Sequence, residues 1–143
     1  TDSDIPLMKY HKITFCEKSK NVLLFGGILT KENEPVKDLY VLDKDHWVRN
    51  PSSLIGKYPT KRYGHLMLQL KDFVFIVGGI GSNIPFVLKP NNFFYMIKNE
   101  GKDPLFISFA DCCVVDDEIF VLGGSTVDGV SNRLYKINVI RNK

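Results

Sequence analysis

The sequence has no apolar run near the roughly 20 residues that a membrane-spanning helix requires. Its opening, TDSDIPLMKYHK, lacks the charged-then-apolar order of a secretory leader. The chain starts on Thr1, as a start inside a longer protein would give. Cysteine is scarce, at positions 16, 112 and 113. An odd count with two adjacent residues excludes a secreted disulfide framework. Neighbours on a strand point to opposite faces, so Cys112 and Cys113 would bond only with strain, and their spacing does not suit a metal. The expectation is three reduced, mostly buried thiols in an intracellular protein. Charge of one sign is also in short supply: 19 Lys and Arg against 16 Asp and Glu leave +3. That surplus permits contact with nucleic acid without implying it.

What is abundant is β-forming. Ten Phe and six Tyr stand against three Met and one Trp, a balance that leans towards strands. A length of 143 residues suits one domain or part of one, with enough chain for a real core.

A repeat organises the chain. Gly-Gly occurs at 26–27, 78–79 and 123–124, each time after an apolar run: NVLLFGG, FVFIVGG and EIFVLGG. Intervals of 52 and 45 residues suit a unit of about 50, not a helical hairpin in the mid-thirties. Registered on the glycines, HLMLQLKDFVFIVGG lies over ADCCVVDDEIFVLGG, and HKITFCEKSKNVLLFGG is two residues longer at the turn. A third strand with an aromatic is expected downstream in each unit: KDLYVLD (Tyr40), NFFYMIKN (Tyr95) and NRLYKINV (Tyr135). Trp47 falls on a fourth strand, HWVRN. Four short antiparallel strands per unit make a propeller blade. Glycine, lacking Cβ, lets the chain turn sharply and lets a neighbour approach closely at a strand end.

No motif carries catalysis. VGGIGSN (77–83) imitates a dinucleotide loop, but Ile84 and Pro85 replace the third glycine and the helix that such a site needs. No G-x-S-x-G, H-E-x-x-H or Cys-x-x-Cys is present to draw His65, Asp72, Asp111 and the cysteines into a reactive set. A histidine opening a strand after Tyr-Gly reads as a structural hydrogen-bonding residue. Asp116, Asp117 and Glu118 sit where a turn is expected, without calcium-loop spacing. No catalytic residue, metal ligand or cofactor is assigned. Tyr63 and Trp47 could stack on bases, although their periodic placement favours packing between blades. The basic residues cluster at Lys9, His11, Lys12, Lys18 and Lys20, and again at Lys57, Lys61 and Arg62. The second cluster lies on the long, proline-interrupted connection 49–65, the kind of loop on which a propeller holds partners.

The three glycine pairs (Gly26, Gly27, Gly78, Gly79, Gly123, Gly124), with Tyr40, Tyr95, Tyr135 and Trp47, resemble the kelch repeat family. The expected fold is all-β, a single partial kelch-type propeller over 1–143 with blade units near 8–50, 61–107 and 108–143. Units two and three lack the tryptophan, and Phe106 stands in for it in the second. Propellers have about 4–8 blades. Three cannot close a ring, so the remaining blades are expected to belong to the protein and to lie outside the sequence given.

The string LIGKYPTKRYGH narrows the resemblance. Through Leu54, Gly56, Pro59, Arg62, Tyr63, Gly64 and His65 it looks like the six-bladed propeller of the accessory subunit of the recombination-activating (RAG) recombinase. The match covers roughly half of that domain. Three scattered cysteines and three histidines cannot supply the zinc finger of vertebrate members, so the resemblance leans towards the transposon-encoded RAG-like relatives of invertebrates. It implies a nuclear, non-catalytic partner of a DDE-type transposase or recombinase, in a hetero-tetramer of two catalytic and two accessory subunits. Such a subunit would add contacts to the DNA backbone at terminal repeats, positioning without specifying sequence. Lys57, Lys61 and Arg62 are the first candidates for those contacts, and Lys12, Lys18 and Lys20 the second. Arg62, beside Tyr63, suits an internal hydrogen-bonding role equally well. The alternative from another class is a generic kelch interaction scaffold: a ubiquitin-ligase adaptor, a chromatin cofactor subunit or an actin binder.

Overall fold

Strands and turns account for all the regular structure in the computed structural model, which describes residues 5–50, 59–82, 84–90, 94–97 and 107–138. The first unit contains β1 (Met8–Lys9), β2 (Lys12–Cys16), β3 (Asn21–Phe25), β4 (Ile28–Leu29), β5 (Leu39–Asp43) and β6 (His46–Arg49). The second contains β7 (Leu66–Leu70), β8 (Phe73–Val77), β9 (Phe86–Leu88) and β10 (Phe94–Met96). The third contains β11 (Asp111–Val115), β12 (Glu118–Leu122), β13 (Ser125–Thr126), β14 (Gly129–Val130) and β15 (Leu134–Asn138).

Each unit forms one antiparallel meander: β2-β3-β5-β6, then β7-β8-β9-β10, then β11-β12-β15. Tight turns join the first two strands of each sheet, and their residues adopt left-handed backbone where needed, as at Lys71 (φ 57°) and Asp117 (φ 65°). The glycine pairs directly follow β3, β8 and β12, the second strand of each sheet.

The apolar rows explain how the sheets stack. Side chains alternate between faces along a strand, and the middle sheet is apolar on both. Its Met67, Val74, Ile76, Phe86 and Leu88 pack with Cys16, Leu23, Phe25 and Leu39 of the first sheet. Its Leu66, Leu68, Leu70, Phe75 and Val77 pack with Ile107, Ala110, Ile119 and Val121 of the third. Each Val, Leu, Ile, Phe or Met among these side chains stabilises by about 1.5–3 kcal/mol when fully buried. Among the described residues the stack is open, and no ring is closed.

Two expectations need correction. Tyr95 does not lie on a third strand: Phe86–Leu88 pairs with β8 first, and Tyr95 lies on the fourth strand, outside it. The residue two before each glycine pair shows the true equivalence, because Leu24 opposes Tyr40, Ile76 opposes Phe86 and Val121 opposes Tyr135. Phe86 is thus the third-strand aromatic of the middle unit. The thiols are not mostly buried either, since only Cys16 is, while Cys112 is half-buried and Cys113 exposed. Cys113 points away from the middle sheet, on a face that nothing covers among the described residues. Phe106 lies outside the described residues.

Gly78 shows why a strand should end this way. Its φ is +70°, and a Cβ there would run into the carbonyl oxygen of Ile107 on the incoming third unit. Gly78→Val adds left-handed strain to overpacking, and should destabilise the domain by about 3 kcal/mol or more. Lys71→Ala, on an exposed turn, should stay within about 0.5 kcal/mol of wild type. Urea denaturation of the two variants checks the ranking, and the reverse order would refute the packing role of the glycine.

Candidate functional site

The segments that lead into the three sheets occupy matching positions at one end of the stack. Lys9, Tyr63 and Ser108 pair with Ile28, Ile80 and Ser125, each just beyond the glycine pair of its own unit. The next residues, Tyr10, Gly64 and Phe109, are all left-handed, with φ of 61°, 65° and 56°. After them come His11, His65 and Ala110. The left-handed residues are linked in series, because Gly64 N donates to Tyr10 O (3.1 Å) and Phe109 N donates to Gly64 O (2.8 Å). For bulky residues such as Tyr10 and Phe109 this conformation is an outlier. It costs of order 1–3 kcal/mol at each position, and persists only where surrounding contacts enforce it.

The aromatic rings of these segments meet. Tyr10 stacks on Tyr63 with centroids 6.1 Å apart, and Phe109 packs edge-on against Tyr10 at 4.9 Å and against Tyr63 at 6.1 Å. The patch faces solvent: Tyr10 is 47% exposed and Phe109 44%. The Lys9 ammonium lies 5.3 Å from the centre of the Tyr10 ring. One aromatic from each of three sequence-distant segments thus forms a single exposed cluster with a cation on it. Tyr63 contacts Tyr10 and Phe109 of the two neighbouring units and remains half-exposed.

Beneath this surface Arg62, Gly64 and His65 are buried. Arg62 is fully enclosed (0% exposed) and its Nη1 donates to Gly78 O at 3.2 Å, with Nε 3.4 Å from Thr60 O. Its guanidinium lies 5.8 Å from the centre of the Phe86 ring. Nη2 has no partner, and burial lowers the Arg62 pKa to about 10. His65 is equally enclosed and meets Phe25 edge-on at 5.6 Å. Neither of its ring nitrogens has a partner in hydrogen-bonding geometry. Burial, and then the neighbouring Arg62 charge, lower its pKa to about 3, with the nearby Phe25 backbone opposing.

The structure divides the basic residues that the sequence grouped. Arg62 is withdrawn from the surface, because its charge is spent inside on the Gly78 carbonyl. Lys61 is exposed at the aromatic end of the stack. Lys12, half-buried at the start of β2, lies at the same end. Lys18 and Lys20 are exposed on the β2–β3 turn at the opposite end of that strand, roughly 15 Å or more away. Lys20 is moreover paired with Glu17. Lys57 lies outside the described residues.

Of the structural residues, Tyr40 opposes Arg49, and Trp47 on β6 opposes Leu42. Tyr95 carries the Lys89 ammonium 4.3 Å from its ring centre, and Tyr135 carries Arg133 at 5.4 Å. The acidic residues are dispersed. Asp72 is on one turn, Asp116 and Asp117 on another, and Glu118 pairs with Lys136 at 2.6 Å. Among the described residues no three of His, Cys, Asp and Glu gather as a metal would require.

Tyr10 and Phe109 were not singled out from the sequence. The signal was available: registering the chain on the glycine pairs places both two residues before the start of a first strand, where the second unit has Gly64. A scan against protein-family models finds none that matches the chain.

Proposed function

We propose that the chain is part of a kelch-type propeller serving as the non-catalytic accessory subunit of a RAG-like DDE transposase. In that role it binds the catalytic subunit and lends cationic contacts to the DNA backbone at terminal repeats. The observation that supports this most is the segment 61–65. Its Arg-Tyr-Gly-His string joins two sheets from inside, while Lys61, exposed, lies two residues before Tyr63 of an aromatic cluster that also carries Lys9. Cations around a rigid aromatic platform suit a phosphate backbone. The metal-binding carboxylates and the chemistry reside in the partner. With a net charge of only +3, the chain needs that partner to hold DNA well.

The test is DNA affinity of the transposase complex across a salt series. Each lysine that meets a phosphate releases about one counterion, so Lys57→Ala with Lys61→Ala should flatten the log–log slope by about two units. The loss should be alike on all sequences. An unchanged slope would favour the second reading, a protein-interaction scaffold. The exposed Tyr10 and Phe109 rings, with Tyr63 half-exposed beside them, support that reading, since aromatics are enriched at protein interfaces.

A further inference from the structure

Tyr10, Gly64 and Phe109 hold one position in the three registered units, and the middle unit shows what the fold requires there. Glycine satisfies it, since φ is 65° at Gly64 and glycine adopts such backbone without strain. Tyr10 and Phe109 enter the same left-handed region with bulky side chains. Both rings are exposed, so burial offsets little of that strain. Strain of this kind gathers at ligand-binding and reactive sites. Gly64 also makes room for the rings. A Cβ there would lie 2.9 Å from Phe109 Cε1 and 3.0 Å from its Cζ, so the Phe109 ring is seated directly against the glycine. Tyr10 then meets Phe109 edge-on, and the three segments present one platform.

The surroundings of the platform are mainly cationic. Lys9 lies over the Tyr10 ring, Lys12 follows Tyr10 by two residues, and Lys61 is exposed two residues before Tyr63. Among the described residues none of these three is in an ion pair, whereas Lys20, Arg49 and Lys136 each have a carboxylate partner. The acidic residue nearest in sequence to any of the rings is Asp111, two after Phe109, and its carboxylate accepts the Cys112 amide at 2.9 Å. An apolar protein partner has no use for unpaired ammonium groups against the rings. Nucleic acid uses both features, because bases stack on aromatic faces while phosphates meet cations. A duplex hides the faces of its bases between neighbouring pairs, so stacking on these side chains requires unpaired nucleotides.

We propose that this platform binds single-stranded DNA, with bases stacked on the Tyr10 and Phe109 rings and phosphates against Lys9 and Lys61. The inference deepens the DNA reading above. It rests on contact with DNA and not on a transposase, and it adds unpaired nucleotides to the duplex backbone as ligand.

The probe is a thymidine oligonucleotide carrying 5-iodouracil, which cross-links under irradiation to aromatic side chains stacked on it. Mixed with the 143-residue chain at about 50 mM salt, it should cross-link at Tyr10 or Phe109, as read by peptide mapping. The same strand annealed to its complement should cross-link little. Affinity is then followed by fluorescence anisotropy of a labelled oligonucleotide. Tyr10→Asn and Phe109→Asn should each weaken binding about tenfold or more. Asparagine tolerates left-handed backbone, so neither variant should lower the urea midpoint. Tyr10→Phe keeps the ring and should bind like wild type. Asparagine variants that lose stability while keeping affinity would make the rings structural and overturn the proposal. Cross-links at other residues, or equal yields from the duplex, would overturn stacking, and that result needs no variant to fold. Binding of neither strand would overturn the proposal and leave a protein partner as the occupant. In each of these cases, a salt slope of the transposase complex that still flattens with Lys57→Ala and Lys61→Ala would keep the backbone reading without the platform.

Discussion

Arg62→Ala should lower the unfolding free energy by about 3–5 kcal/mol, the range of large-to-small changes in a well-packed core. Arg62 is the largest fully buried side chain among the described residues, set where the first two sheets join. Truncation opens a cavity and leaves the Gly78 carbonyl without the Nη1 donor. The charge itself is a burden, because no carboxylate among the described residues pairs with it and one nitrogen is unsatisfied. Arg62→Met, which keeps most of the volume and drops the charge, should therefore cost far less, about 1–2 kcal/mol. Chemical denaturation separates the outcomes. Equal losses for the two variants would mean that the guanidinium, and not the volume, holds the junction, and a loss below about 1 kcal/mol for alanine would place Arg62 at the surface.

Acid should weaken the fold through His65. Its folded pKa is lowered to about 3 from the ordinary 6.5, so between those values the unfolded chain binds the extra proton. Stability contributed by the neutral ring is complete above pH 6.5 and is lost as the pH falls towards 3. The slope is about 1.4 kcal/mol per pH unit, or about 2 kcal/mol lost by pH 5. The enclosure of the ring, between Phe25 and the backbone at Gly26 and Gly79, supports a shift of this sign. His65→Gln should be less stable at pH 7 yet lose less on acidification, and the difference between the two urea midpoints from pH 7 to 4.5 isolates the histidine from the carboxylates. Parallel curves would show a ring that already reaches water.

Much of the fold was legible because two periodicities coincide. The short apolar runs in NVLLF, FVFIV and EIFVL mark strands, and the glycine pairs set the register between units. The third-strand aromatic was misplaced at Tyr95 because the connection after Gly79 differs in length between units. Cross-strand pairing, which puts Phe86 opposite Ile76, cannot be read along a single chain. The surface was read less well. Arginine is rarely buried, so Arg62 was grouped with the exposed lysines of its loop, and only three-dimensional packing shows the Gly78 carbonyl claiming it. Lys12 and Lys18 are six positions apart in sequence, yet an intervening extended strand carries them to opposite ends of a sheet. The aromatic cluster depends on left-handed backbone at Tyr10 and Phe109, to which those residue types give no local clue.

The middle sheet is enclosed by two clusters, while each outer sheet draws on one. Neither cluster joins the first sheet to the third, so cooperativity spreads only from neighbour to neighbour. An outer sheet can open without disturbing the cluster on the far side of the middle one. Substitutions at Leu23 or Phe25 should accordingly add to those at Ile119 or Val121 without coupling. Evolution could then retune one outer sheet for a new partner while the other sheets keep their sequence and their packing.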